Sequence, residues 1–191
     1  MLPIVLRKLK WADALGPHVG IDSLDSLRSM HLDGRVLIAF QSGIIIPKDV
    51  LAKVRAYNFH PGTPNYPGRD PHHWAIYDRV THFGATCHVM TDRVDAGPII
   101  RVARFPLVPG FTPDQLRECA SEAALWLYQE ILPSLMDGTA KPNGEVWTGK
   151  KHTRADFLRM CELDGLPKEE ARWRLVAFGS GEHDNFQRAV I

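Results

Sequence analysis

Tyr57-Asn58-Phe59-His60-Pro61-Gly62-Thr63-Pro64-Asn65-Tyr66-Pro67-Gly68 carries a short apolar run into a proline-rich loop. Read as a strand over residues 54–60, its period of two puts Asn58 and His60 on one face and Phe59 on the other. Pro61 has no N–H for a sheet ladder, so the strand ends there. An amide and an imidazole are left at its carboxyl end, where open α/β sheets bind their ligands. The same residue types also serve at loop entries as buried groups bonded to turn backbone, and this stretch alone leaves both readings open.

Outward from this stretch, the chain reads as alternating strands and helices. Residues 36–40 form a continuous apolar run bounded by Gly34 and Gly43, as expected of a strand buried on both faces. Gln41-Ser42-Gly43 is then a loop at its carboxyl end. Pro47 stands at a first helical position and Val50, Leu51 and Val54 follow at helical spacing, so residues 47–54 complete a strand–helix–strand unit. Downstream, Asp70-Pro71 opens a helix with Trp74, Ile76 and Tyr77, and strands follow at 84–90 and 98–107 around a loop at 91–97. Thr112-Pro113-Asp114-Gln115 has the form of a capping box. It opens a helix to about residue 136 with the stripe Leu116, Cys119, Ala120, Ala123, Ala124, Leu127 and Ile131.

The two ends are less regular. Residues 1–34 offer an apolar start, a Gly16-Pro17 break and a short helix at 22–30 begun by Asp22 or Ser23, with no Gly-x-Gly-x-x-Gly after the first apolar run. Beyond the long helix, the pattern predicts a short strand at 145–147, a helix from Thr153 or Arg154, and another at 168–178. The expected architecture is an open, mostly parallel twisted α/β sheet with helices on both faces. It comprises one domain over residues 1–140 and a small α/β appendage at 141–191 packed on it.

Composition excludes several classes. The chain has 191 residues, 45% apolar and 24% charged, as an ordinary globular domain does. Twenty-three Lys and Arg oppose twenty-two Asp and Glu with no block of like charge, so the electrostatic footprint of a nucleic-acid binder is missing. Arg7, Lys8, Lys10 and Lys150, Lys151 read as solvated faces. Cys87, Cys119 and Cys161 are odd in number and lie in apolar patterns, which fits reduced thiols. The apolar start is too short for a membrane span and precedes its basic residues, opposite to a signal peptide. A cytoplasmic protein without a membrane partner is expected. The adjacent His72 and His73 point about 100° apart on a helix and have no Cys or carboxylate at ligand spacing, so no metal site is expected.

Two polar clusters fall at the predicted carboxyl ends of strands: Asn58 with His60, and Asp92 with Asp95. In a parallel sheet with both strands central, those ends share one edge, and an amide, an imidazole and a carboxylate could meet there. Asn58-x-His60-Pro61, Tyr66-Pro67-Gly68, Gly84-Ala85-Thr86-x-His88 and Asp95-Ala96-Gly97-Pro98-Ile99-Ile100, in this order, resemble the folate-dependent formyltransferases. The resemblance implies a Rossmann-like sheet and a catalytic trio of Asn58, His60 and Asp95.

The chemistry accounts for these residue types. When an amine attacks the formyl carbon of 10-formyltetrahydrofolate, the carbonyl oxygen turns anionic and the amine cationic. Asn58 can donate to that oxygen, a contact typically worth about 3–4 kcal/mol. A protonated His60 adds a charge-assisted donor and an acid, and Asp95 can orient His60 or a water and take the amine's proton. Asp95 alone would read as a turn residue before Gly97.

The resemblance also implies a folate slot along Gln41, Ser42, Gly43, Ile44 and Ile45 and along Met90, Thr91, Asp92 and Val94, with apolar walls around polar main chain. By the residues alone, the isoleucines could equally be core, and His88 a structural histidine. Gly68, His72 and His73 are expected near the acceptor.

Two departures from the family pattern bear on the acceptor. Only thirty-five residues precede Val36, so a complete first strand and its Gly-rich turn are expected to be lacking, which argues against glycinamide ribonucleotide as acceptor. A sheet shortened in this way exposes an edge, which pairing into a homodimer would cover. In addition, the near-neutral tail has no room for the basic domain of methionyl-tRNA formyltransferase. Its stretches from Trp147 to Asp164 and from Arg172 to Phe178 instead look similar to the tails of sugar-nucleotide N-formyltransferases. The expected activity is N-formylation of a nucleotide-linked amino sugar. The alternatives are a deformylase, in which water replaces the amine, and a folate-binding relative without turnover.

Overall fold

A computed structural model describes residues 1–179. Six strands form one open sheet in the order β2-β1-β3-β4-β5-β6. These are β1 (Ile4–Arg7), β2 (Val19–Ile21), β3 (Val36–Phe40), β4 (Arg55–His60), β5 (His82–Val89) and β6 (Ile99–Pro106). The first four run parallel, whereas β5 is antiparallel to β4 and β6 to β5. The sheet is therefore mixed, and the expectation that the strands before and after the Pro-rich loop run the same way is corrected. Residues 61–81 are long enough for a crossover, but their helix α3 (Pro71–Tyr77) packs with Phe83 of β5 and with Leu116 and Ala120 of the long helix that follows β6, and the chain re-enters the sheet antiparallel to β4.

Alternation along the strands builds two cores. Val5, Ile38, Phe40, Tyr57, Phe59, Ala85 and Cys87 face one side, where they meet Ala124, Leu127, Tyr128, Ile131 and Leu135 of the long helix α4 (Pro113–Asp137). Phe40, Phe59 and Tyr128 pack with centroids 5.5–5.9 Å apart. The capping box is formed: Gln115 N–H donates to Thr112 Oγ1 (3.2 Å), and Thr112 N–H donates to Gln115 Oε1 (3.0 Å). On the other face Ile4, Leu6, Leu37 and Ala56 meet Leu27 of α1 (Leu24–Arg28) and Val50 of α2 (Lys48–Leu51). Asn58 and His60, two and four residues beyond Ala56, point to this second face.

Residues 1–34 hold more structure than expected. β1 lies inside the sheet between β2 and β3, so the first strand is present. What departs from expectation is its connection to β2, which carries a 3-10 turn at Leu9–Trp11 and is tied to α4 by the Tyr128 hydroxyl donating to the Leu15 carbonyl (3.2 Å). At the other end, α5 (Arg154–Met160) and α6 (Lys168–Phe178) bury Phe157, Ala177 and Phe178 against Trp74, Ala75 and Ile76 of α3. The strand expected at 145–147 does not form, because that stretch is held by separate contacts to loops and not by a ladder. The part of the expected appendage beyond residue 179 lies outside the described residues.

Candidate active site

β4 delivers Asn58 and His60, and the antiparallel register places His88 of β5 directly opposite Asn58 on the same face. The loop after β5 leaves toward the amino ends of the parallel strands and folds back over this face. Two local features permit it. Asp95 takes a left-handed conformation (φ 47°), and Gly97 lies so near β5 that a Cβ there would stand 1.9 Å from the Val89 carbonyl oxygen. Asp95 thus reaches the site from above the sheet, not along a shared carboxyl edge, and is only 6% exposed.

Its carboxylate is the hub. Oδ1 accepts from Asn58 Nδ2 (3.2 Å), and Oδ2 accepts from the Gly68 N–H (2.8 Å). His60 Nδ1 stands 3.5 Å from Oδ2, and His88 Nε2 stands 3.3 Å from Oδ1. Burial alone would push Asp95 up. The charges of His60 and His88, the His88 hydrogen bond and the Gly68 N–H outweigh it and hold the carboxyl well below the usual carboxylate range.

Carbonyl partners set both imidazole tautomers. His60 Nε2–H donates to the Tyr66 carbonyl (2.8 Å), so Nδ1 is the nitrogen that faces Asp95. His88 Nδ1–H donates to the Val89 carbonyl (2.8 Å), which leaves Nε2 between Asp95 and Asn58 Nδ2 (3.1 Å). Gly62 is bare where His60 needs room: a Cβ there would stand 2.7 Å from His60 Nε2.

The expected residues divide accordingly. Asn58, His60 and Asp95 meet, and His88 joins them. His88 contacts two of the three through Nε2. The Gly68 N–H is engaged by Asp95 and a Cβ on Gly68 would meet the His152 carbonyl oxygen at 2.4 Å, so its contacts support a role in holding Asp95 in place of acceptor binding. His73 is 2% exposed, shares a hydrogen bond from Nδ1 with the Ala177 carbonyl (2.6 Å) and stacks on Phe178, which is the packing of α6 on α3. His72 is buried beside it, the rings 4.3 Å apart.

Along the other wall, Ile44 and Met90 pack on the same cluster as Ile46, while Ile45 is 70% exposed and Val94 38% exposed. Gln41 is in a left-handed conformation (φ 52°); its Oε1 accepts from Ser121 Oγ (3.0 Å) and its Nε2 is buried without a partner. Ser42 Oγ accepts from the Ile44 N–H (3.2 Å), Gly43 and Asp92 are exposed, and Thr91 Oγ1 donates to the Arg93 carbonyl (3.0 Å). Exposed apolar side chains on two polar loops are the kind of lining that a flat, polar-edged heterocycle takes.

Trp147 completes the surroundings. Its indole N–H donates to the Gly97 carbonyl (2.9 Å), and its ring meets His88 and His60 edge-on with centroids 5.0 and 5.8 Å away. The sequence marked it only as the start of a tail stretch resembling sugar-nucleotide N-formyltransferases, since a lone aromatic residue in a polar tail has no period.

Residues 21–132, more than half of the chain, match the family model described as formyl transferase. The chain belongs to the formyl transferase family. It is 30% identical over 158 residues to a methionyl-tRNA formyltransferase of Sorangium cellulosum, an alignment that covers 81% of this chain and 47% of that protein. The chain spans about half the length of the relatives it matches in this way. Among solved structures, a 4-N formyltransferase from Francisella tularensis superimposes with a TM-score of 0.73 at 17% identity, covering 95% of this chain and 88% of that one. An N-formyltransferase from Helicobacter canadensis, solved with folinic acid and dTDP-3-aminofucose, gives a TM-score of 0.66 at 18% identity, covering 86% and 62%. The chain shares their fold. Among its described residues, no helix is long and apolar enough to cross a membrane.

Proposed function

We propose that the chain transfers a formyl group from 10-formyltetrahydrofolate to the primary amine of a nucleotide-linked amino sugar. The observation that carries this reading is the convergence of Asn58, His60 and His88 on the buried carboxylate of Asp95. The folinic acid and dTDP-3-aminofucose in the Helicobacter canadensis structure, and the sugar N-formyltransferase from Shewanella at a TM-score of 0.71, support the choice of donor and acceptor.

The donor supplies an activated formyl carbon, and the exposed side chains of Ile45 and Val94 offer it apolar surface. Asp95, kept ionised, accepts the proton that the attacking amine gives up, directly or through a water. Asn58 donates to the formyl oxygen as it turns anionic. One Asn58 N–H points to Asp95 Oδ1 and the other toward His88 Nε2. A proton on Nε2 makes that nitrogen a donor to Asp95 and frees an Asn58 N–H for the oxygen. His60, whose Nδ1 faces Asp95, relays the proton that the carboxylate takes from the amine to the folate nitrogen as the bond from that nitrogen to the formyl carbon breaks.

The test is to incubate the chain with 10-formyltetrahydrofolate and a panel of amines that includes dTDP-linked 3- and 4-amino sugars, and to follow tetrahydrofolate release. Release that requires an amino sugar is the expected result. Release that is equal without amine would assign a hydrolase, and none with any amine would overturn turnover altogether.

A further inference from the structure

Residues 143–152 form no helix or strand beyond a single β-bridge of His152 with Gly68, yet they are tied to both loops of the site. The Asn143 N–H donates to the Ile99 carbonyl (2.9 Å), the Thr148 N–H to Pro64 (3.1 Å) and the His152 N–H to Pro67 (3.1 Å), while the Arg69 N–H donates back to His152 (2.9 Å). Gly149 presses so close that a Cβ there would stand 1.5 Å from the Asn65 carbonyl oxygen. The stretch is a strap from the start of β6 across the Pro-rich loop. At its middle Trp147 bonds Gly97, in the loop of Asp95, and lays its ring against His88 and His60. Those two imidazoles are 2% and 4% exposed.

We propose that Trp147 is a positioning residue that keeps water off the His60–Asp95–His88 cluster and pins the Asp95 loop, so that the formyl group goes to an amine and not to water. In the competing hydrolysis, the water oxygen bonds to the formyl carbon, the bond from that carbon to the folate nitrogen breaks, the nitrogen takes up a proton and formate leaves. The same polar groups would assist both reactions, so the choice between them rests on what can reach the carbon. The indole has no group able to trade a proton in either reaction, and its N–H is held by Gly97. Its contribution is shape and exclusion.

The turnover arm of the test rests on the proposed formyl transfer, and the spectroscopic arm does not. The full chain is compared with Trp147→Ala and Trp147→Phe. In water, NMR of the ring N–H protons of His60 and His88 reads solvent access. Their exchange is expected to speed up about tenfold in the alanine variant and to stay near the parent's in the phenylalanine variant, which keeps a ring in place. With 10-formyltetrahydrofolate and a dTDP-linked amino sugar, the alanine variant is expected to lose transfer kcat while donor KM stays within about twofold. Its release of tetrahydrofolate without amine should rise about fivefold relative to transfer. Phenylalanine should restore the parent's ratio.

Unchanged imidazole exchange together with an unchanged ratio of release to transfer in the alanine variant would overturn the proposal. So would equal loss of transfer in both variants with no gain in hydrolysis, which is the mark of a merely structural tie. If the alanine variant does not fold, Trp147→Leu replaces it with the same expectations, since a branched side chain cannot cover both imidazoles. A parent that transfers to no amine would end the functional reading, and imidazole exchange would still decide the shielding.

Discussion

Replacing Asp95 with asparagine keeps the shape of the side chain and removes its charge. In the folded chain the carboxylate accepts from Asn58 Nδ2 (3.2 Å) and the Gly68 N–H (2.8 Å) and faces His60 Nδ1 (3.5 Å) and His88 Nε2 (3.3 Å). An amide has one acceptor oxygen, so one of the two N–H donors is left without a partner, a loss of about 1.5–3 kcal/mol for a bond to a charged group. The imidazoles also lose their counter-charge, which brings the expected destabilisation to about 3 kcal/mol, the lower end for breaking a buried pair.

The sign with pH follows from the direction of the shift. Asp95 titrates lower folded than unfolded, so its contribution is present above the unfolded value of about 4 and is lost as pH falls through the depressed folded value. Urea unfolding of parent and variant between about pH 3 and 7 should therefore show the full difference near neutrality and a shrinking one below about pH 4. Tetrahydrofolate release should fall about a thousandfold, or about 4 kcal/mol in barrier. A stability difference that is constant with pH, or turnover within about tenfold of the parent, would refute the assigned role of the carboxylate.

Three further outcomes are expected. Asn58→Ala should lower kcat by about 10²–10³ with a smaller change in donor KM, measured by steady-state release. Gly62→Ala places a Cβ 2.7 Å from His60 Nε2; the ring must leave the Tyr66 carbonyl, and kcat should drop by about tenfold or more while circular dichroism stays that of the parent. Thr112→Ala removes the cap of a 25-residue helix and should cost about 1 kcal/mol in urea unfolding, with turnover unchanged because α4 packs on the opposite face of the sheet from the site.

Local signals carried much of the fold. Residues 36–40 and 168–178 were legible to the residue, because an unbroken apolar run between glycines and a helical stretch after Pro167 leave little choice of element. The Thr112–Gln115 box was legible for the same reason, being chemistry within four residues. β2 was not: it is three residues long and its central Gly20 is exposed, too little for a period. In the site, Asn58 and His60 follow from alternation on one strand. His88 and Trp147 do not, since their partners are thirty and fifty residues away and depend on the register of β4 with β5 and on a strap held by backbone carbonyls.

The direction of β5 explains why this site is closed when a parallel arrangement would leave it open. An aspartate on a loop at the carboxyl edge of a parallel sheet faces the crevice and its water, and its carboxylate would be free to turn. Here the strand reverses, so His88 comes to lie across from Asn58, and the loop that follows has to fold back over both. Asp95 is then enclosed from below by two strands and from the side by the Gly68 N–H at the end of the Pro-rich loop. Each of its oxygens receives one N–H from a different element. A carboxylate held from three directions has little orientational freedom left to lose when an amine arrives, and it stays ionised despite its burial because its neighbours are donors and imidazoles. The Tyr57–Gly68 stretch therefore contributes both ends of the device: Asn58 and His60 as donors at its start, and at its finish a glycine whose φ of 91° aims an amide at the base.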